Sequence, residues 1–218
     1  MNSMKGKRVV ITGPTSGVGK EIAMELSALG AEIIHACRDL KKGNKTASEI
    51  TRRTGSAKLS VMQVDTSSQK SIREFAREFR KKYRRLDVLI NNAAGNRGTL
   101  PKVNSEDGIE LTFAANVVGY FLLTQELLPV LGKSAPARII NVASQYASDL
   151  DLDNLQFEGA SKFQEKNFPN RKYTTHRVLR EGHEGQKSAK AWILSPLLCF
   201  VPFVFSGFQK THARLMDY

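Results

Sequence analysis

The sequence predicts an α/β fold, an open and doubly wound parallel sheet with helices on both faces. Three observations lead there. Short strands that are apolar throughout alternate with amphipathic helices, the pattern of strands buried on both sides. A glycine-rich turn separates the first strand from the first helix. The chain of 218 residues is 41% hydrophobic and 25% charged, ordinary values for a folded globular protein, which excludes disordered and collagen-like classes.

Residues Arg8 to Thr12 form the first apolar run, and Ile22, Leu26 and Leu29 then recur at helical spacing until Gly30 supplies a stop. Ala31 to Ala36 reads as a second strand, Lys41 to Arg53 as a polar helix, and Leu59 to Val64 as a third strand. Ser67 or Ser68 caps a basic helix reaching about Tyr83. Val88 to Ile90 is the fourth strand, Ser105 opens a long helix ending near Leu131, and Ala137 to Val142 is the fifth strand. After about Ser148 the rhythm fails, so the sheet is expected to be incomplete on its C-terminal side. The expected division is a nucleotide-binding domain over 1–158 and a divergent, partly disordered tail over 159–218.

Charge and cysteine content narrow the class. The net charge of +12 is concentrated on Arg73, Arg77, Arg80, Lys81, Lys82, Arg84 and Arg85, interleaved with Ile72, Phe75, Ala76 and Phe79 at helical spacing. That is a solvated helix face, and with no zinc-finger spacing or RNP-like aromatic run a nucleic-acid partner is not expected. Cys37 and Cys199 are too few and too far apart for a disulfide scaffold or a CxxC pair, which points to a reducing, cytoplasmic setting. Membrane association through the apolar run 191–208 is the alternative, weakened by Pro196 and Pro202. His176 and His183 make no metal motif, and no metal site is predicted.

Between the first strand and helix, Thr12-Gly-Pro-Thr-Ser-Gly-Val-Gly19 places backbone N–H groups and a positive helix end where a pyrophosphate can sit. Gly13 serves the tight turn, Gly17 the close approach of phosphate, and Gly19 the packing of helix on strand, with Ser16 and Val18 between them facing the cofactor. This is the loop of a Rossmann-type domain. At the end of the second strand stands Arg38, where an NAD-preferring site would offer a carboxylate; its guanidinium suits the 2′-phosphate of NADP, the other reading being a surface pair with Asp39. Lys41 and Lys42 add general attraction.

The combination of that loop with Ala36-Cys-Arg-Asp39, Val64-Asp65, Leu89-Ile-Asn-Asn-Ala93, Phe113-Ala-Ala-Asn116 and Ile139-Ile-Asn-Val-Ala-Ser144 resembles the short-chain dehydrogenases/reductases, and within them the NADP-preferring, retinol-dehydrogenase-like branch. The resemblance runs from about Lys5 to Asn154. It implies that Asp65 holds the adenine amino group and that Asn91 to Ala93 shape the strand end under the adenosine. Ala94 followed by Gly95 departs from the family's usual glycine.

The resemblance also implies hydride transfer between nicotinamide and an alcohol or carbonyl carbon, with Ser144 polarising the substrate oxygen and Asn116 holding a proton-relay water. The family's Tyr-x-x-x-Lys pair is absent after Ser144. Tyr173, with Arg177 four residues on, is the nearest substitute for the proton-transfer tyrosine; the other reading makes it a loop tyrosine. Expected partners are therefore NADP(H) and a small alcohol or carbonyl substrate, with a homo-oligomer left open. The alternative is a cofactor-binding pseudoenzyme or truncated isoform.

Overall fold

The computed structural model describes residues 3–94, 103–143 and 154–155. Its chain order is β1 (Arg8–Thr12), α1 (Gly17–Ala28), β2 (Glu32–Cys37), α2 (Leu40–Thr54), β3 (Leu59–Gln63), α3 (Gln69–Lys82), β4 (Val88–Asn91), α4 (Leu111–Phe113), a π-helical turn (Ala114–Val118), α5 (Gly119–Lys133) and β5 (Arg138–Asn141). The strands form one sheet in the order β3-β2-β1-β4-β5, and every neighbouring pair is parallel. Parallel neighbours need crossover connections, and the intervening helices supply them.

Because successive side chains in a strand point to opposite faces, one strand feeds two cores. Val10, Ile34, Ala36 and Leu89 pack with Ile72, Phe75 and Phe79 of α3 and Leu123, Leu127 and Val130 of α5. Val9, Ile11, Ile33, Val88 and Ile90 pack on the other face with Ala23 of α1 and Ile50 of α2. The basic stripe on α3 falls outside the core: Arg73 and Arg80 pair with Glu126 of α5, and Arg77 and Lys81 with Glu78. These exposed pairs contribute little stability each.

Helix ends follow local chemistry. Asp39 accepts the N–H of Lys42 at 3.0 Å to cap α2, and Ser68, of the two candidate serines, caps α3 by accepting the N–H of Ser71 at 3.2 Å. One boundary differs from expectation. The long helix does not begin at Ser105 but at Leu111, because residues 103–111 form a small hairpin. There the N–H of Ser105 donates to Ile109 O, that of Gly108 to Ser105 O, and that of Leu111 to Val103 O. Gly108 turns the hairpin at φ +77°, a conformation that a helix does not use. The helical stretch Leu111–Lys133 is long and apolar enough to cross a membrane, but half of it is buried against α3 and the sheet, as a core helix is. The run 191–208 and the tail 159–218 lie outside the described residues.

Two ionisable groups are taken from water in opposite ways. Asp87, before β4, is penalised by burial, but Arg85, the backbone N–H of Arg8 and Lys7 outweigh this and hold its pKa down at about 2. His35, in the middle of β2, is fully buried with neither ring nitrogen hydrogen-bonded, and burial pushes its pKa down to about 4. Its register neighbours, Ile11 and Val61, offer no polar atom from their side chains.

The unfolded chain therefore binds a proton at His35 between about pH 6.5 and 4 while the folded chain refuses it, so stability falls as pH drops through that window. Asp87 acts only below it, between its ordinary value of 3.8 and about 2. With about 1.4 kcal/mol per pKa unit, moving from pH 7.5 to 5 should cost about 2 kcal/mol. Urea denaturation at the two pH values checks this: the His35→Leu variant should lose most of the dependence, and an equal dependence in both chains would reject the assignment.

Candidate functional site

Strand order reverses between β1 and β4, and in open parallel sheets the crevice outside the carboxyl ends of such a pair is where ligands bind. The crevice is built around one side chain. Thr12, fully buried at the end of β1, accepts the backbone N–H groups of Asn92 and Ala93, each at 2.9 Å. Asn92 answers by donating its Nδ2 to Thr12 O at 2.9 Å and Gly13 O at 3.2 Å. These bonds lock the glycine loop to the segment after β4.

The loop's glycines have distinct surroundings. Gly13 turns at φ +65°, and a Cβ there would lie 2.9 Å from Ala93 Cα. A Cβ on Gly19 would sit 2.6 Å from Gly13 O and run into the Asn92 amide, so helix and loop meet only without a side chain. Gly17 opens into space with nothing within 4 Å of such an atom. Ser16 occupies the N-cap of α1 without capping it, and Ser16, Gly17 and Val18 are exposed. The first-turn N–H groups of α1 therefore face outward, as an anion requires. From behind, Thr46 of α2 donates to Thr15 O at 3.4 Å, and Lys20 pairs with Glu49 at 2.8 Å to tie α1 to α2.

At the end of β2 the pairing of Arg38 with Asp39 does not form. Asp39 is committed to its cap, and among the described residues the exposed Arg38 guanidinium has no ion pair; Gln63 Nε2 donates to Arg38 O at 3.4 Å, fixing the backbone below it. Cys37 beside it is an inert thiol, since burial and then the Asp39 charge push its pKa up. Asp65, after β3, accepts the N–H and hydroxyl of Ser67 on Oδ1, and among the described residues its Oδ2 takes no hydrogen bond. Asn91 is fully buried and donates Nδ2 to Asn141 at 2.8 Å and to Thr124 at 3.2 Å, so it shapes the strand end by bracing β4 to β5 and α5. Ala93 contributes its backbone to Thr12.

Asn116 sits buried inside the π-helical turn that joins α4 to α5. Such turns insert one residue into the hydrogen-bond ladder and concentrate at functional sites. Ser144, beyond β5, and Tyr173 lie outside the described residues. Three contributors were not singled out in the sequence: Thr12 as the clamp, Asn92 as its partner, and Thr46 behind the loop. Thr12 and Asn92 stand inside the quoted motifs, but nothing in the pattern says that one hydroxyl serves two amides; Thr46 carries no sequence signal at all.

Thr12→Val keeps the shape but leaves the N–H groups of Asn92 and Ala93 without their acceptor. An unpaired donor costs about 1–3 kcal/mol when buried and less where water reaches it; Asn92 and Ala93 are half-buried, so the variant should lose about 1–2 kcal/mol by chemical denaturation, while Thr12→Ser should stay near wild type.

The same chain can now be set beside known proteins. The model of the short chain dehydrogenase family matches residues 7–169, beyond Asn154 where the resemblance read from the sequence ends. Retinol dehydrogenase 13 of Mus musculus is 42% identical over 158 residues, covering 72% of this chain and 47% of that protein. Retinol dehydrogenase 12 of Homo sapiens is 36% identical over 225 residues, covering 95% and 70%. The chain spans about half the length of most of the curated relatives it matches. Among solved structures, the RhlG/NADP active-site complex of Pseudomonas aeruginosa superposes with a TM-score of 0.58 at 30% identity, covering 68% of this chain and 59% of that one. The oxidoreductase yciK of E. coli gives 0.56 at 27%, covering 66% and 59%. With the family match extending over well over half its length, the chain belongs to the short chain dehydrogenase family and is retinol-dehydrogenase-like within it.

Proposed function

We propose that this chain is an NADP-dependent oxidoreductase moving a hydride between the nicotinamide and an alcohol or carbonyl carbon of a small, retinoid- or steroid-like substrate. The observation that carries the cofactor choice is the uncommitted guanidinium of Arg38 at the end of β2, with the neighbouring carboxylate, Asp39, committed to the cap of α2. A doubly charged 2′-phosphate matches that cation, and a bare ribose hydroxyl gives it nothing to neutralise. The NADP in the RhlG structure and the retinol dehydrogenase relatives support the same reading.

The fit to the dinucleotide rests on features of the chain itself. The outward N–H groups at Gly17 and Val18 suit the pyrophosphate, the free Oδ2 of Asp65 suits the adenine amino group, and Arg38 suits the 2′-phosphate. When bound, the nicotinamide supplies or accepts the hydride. Asn116 is a buried polar side chain inside an otherwise apolar turn and is the candidate to hold a water for proton relay. Ser144 is assigned to polarise the substrate oxygen. Tyr173 is the candidate to move the proton, with Arg177 supplying the positive charge that lowers a phenol's pKa.

NADPH should bind more tightly than NADH by roughly ten- to a hundredfold, the scale of a charge-assisted hydrogen-bonded contact. In calorimetry Arg38→Asp should remove or reverse that preference; equal affinities in the native chain would reject the 2′-phosphate assignment. For the chemistry, Tyr173→Phe should lower aldehyde reduction by roughly 10²–10⁴-fold at saturating NADPH, the ordinary contribution of a positioned acid. Unchanged turnover would remove Tyr173 from the reaction and return it to a loop role.

A further inference from the structure

The hairpin before α4 touches the start of α3. Ser68, which caps α3, donates its hydroxyl to Glu106, and the N–H of Gln69 donates to Asp107 Oδ2 at 2.9 Å. Both acceptors stand at the start of α3, where carboxylates are favoured by the positive helix end. Three residues earlier lies Asp65, whose Oδ1 is held by Ser67 in the same turn.

The other end of the hairpin holds the helix that contains Asn116. Glu110 accepts the N–H groups of Thr112 and Phe113 at 2.9 and 2.7 Å, fixing the first turn of α4, and the N–H of Ala114 donates to Glu110 O at 2.7 Å where the π-helical turn begins. At the far side of that turn, Gly119 packs directly on Thr66 O, so closely that any Cβ would lie well inside van der Waals contact. The segment Asp65–Gln69 and the turn Ala114–Val118 are thus clamped twice, by Gly119 on Thr66 and by Glu106 and Asp107 on Ser68 and Gln69.

We propose that Glu106 and Asp107 are positioning residues that couple the adenine side of the cleft to the π-helical turn carrying Asn116. The proposal rests on the cofactor reading above and adds a direction of communication to it. A ligand held at Asp65 Oδ2 restrains the turn Asp65–Ser68, the hairpin carries that restraint through Glu106 and Asp107, and Glu110 delivers it to the start of the π-helical turn. Packed elements with shared hydrogen bonds are the physical medium such coupling requires. Nicotinamide contacts are not needed for it, which separates the effect from substrate chemistry.

Adenosine 2′-phosphate-5′-diphosphoribose, the cofactor without its nicotinamide, is the probe, read by calorimetry and by amide hydrogen exchange of the full chain. In the wild type its binding should slow exchange in residues 114–119 as well as in the loop 13–19. Glu106 and Asp107 are both exposed, so their alanine variants spare the core. Asp107→Ala should bind the probe within about threefold of wild type and keep protection at 13–19, yet lose most of the probe-induced protection at 114–119. Asp107→Asn, which retains an oxygen acceptor for Gln69, should restore much of it, and Glu106→Ala should show the same loss independently. Full protection at 114–119 in both alanine variants would overturn the coupling while leaving the cofactor site intact. A wild-type chain that does not bind the probe would overturn the cofactor reading itself, and the coupling with it.

Discussion

The hydroxyl of Thr12 closes the one gap that a reversing strand order leaves. Between β1 and β4 the helices leave to opposite faces, so nothing from a crossover covers the ends of these two strands. Two backbone donors at Asn92 and Ala93 would be orphaned there, and a single oxygen takes both. The Asn92 amide returns two bonds to the loop carbonyls, and the resulting fastening is tight enough that Gly13 and Gly19 have no room for a methyl group. With the loop pinned from this side and Thr46 from the other, the N–H groups of the α1 start are left facing solvent.

The opposite end of the sheet shows the same accounting with a different outcome. Asp87 collects Arg85, Lys7 and the N–H of Arg8, so a buried carboxylate stays ionised and fastens the start of β1 to the segment before β4. His35 receives no such company and remains neutral. A buried charge that is paired braces the sheet, while an unpaired ionisable ring in its middle makes the fold depend on staying deprotonated.

The strands were legible because their interiors are short, largely apolar runs, most fully buried in β1, β2 and β4: Arg8–Thr12 matches residue for residue, and no end of the others moves by more than one residue. The glycine loop was legible because its spacing follows backbone sterics. The start of the long helix was misread at Ser105, a good capping residue by type, although Asp107-Gly108 two positions later is a turn dipeptide that carried the opposite signal. Ser105 uses its backbone in the hairpin instead, and the less favoured Glu110 caps the helix because its carboxylate reaches two N–H groups. Arg38 and Asp39, adjacent and oppositely charged, invited a pair, but the three-residue reach of Asp39 to the Lys42 N–H wins, since a helix terminus needs an acceptor more than an exposed arginine does. The role of Thr12 and the partners of Asn91 were not legible, because they depend on residues eighty and fifty positions away.

The π-helical turn fits this pattern of obligations already met elsewhere. A π insertion disrupts the regular ladder and persists where its surroundings over-determine it. Here Glu110 fixes the entry, Gly119 fixes the exit against Thr66, and the buried faces of Leu123 and Leu127 hold α5 to the core beyond it. Those restraints let a buried asparagine be carried within a helix, where its intrinsic propensity is low. The turn that carries Asn116 is therefore held by residues outside the turn itself. The hairpin Val103–Leu111, which a reading of motifs passes over, thus takes part in holding that turn.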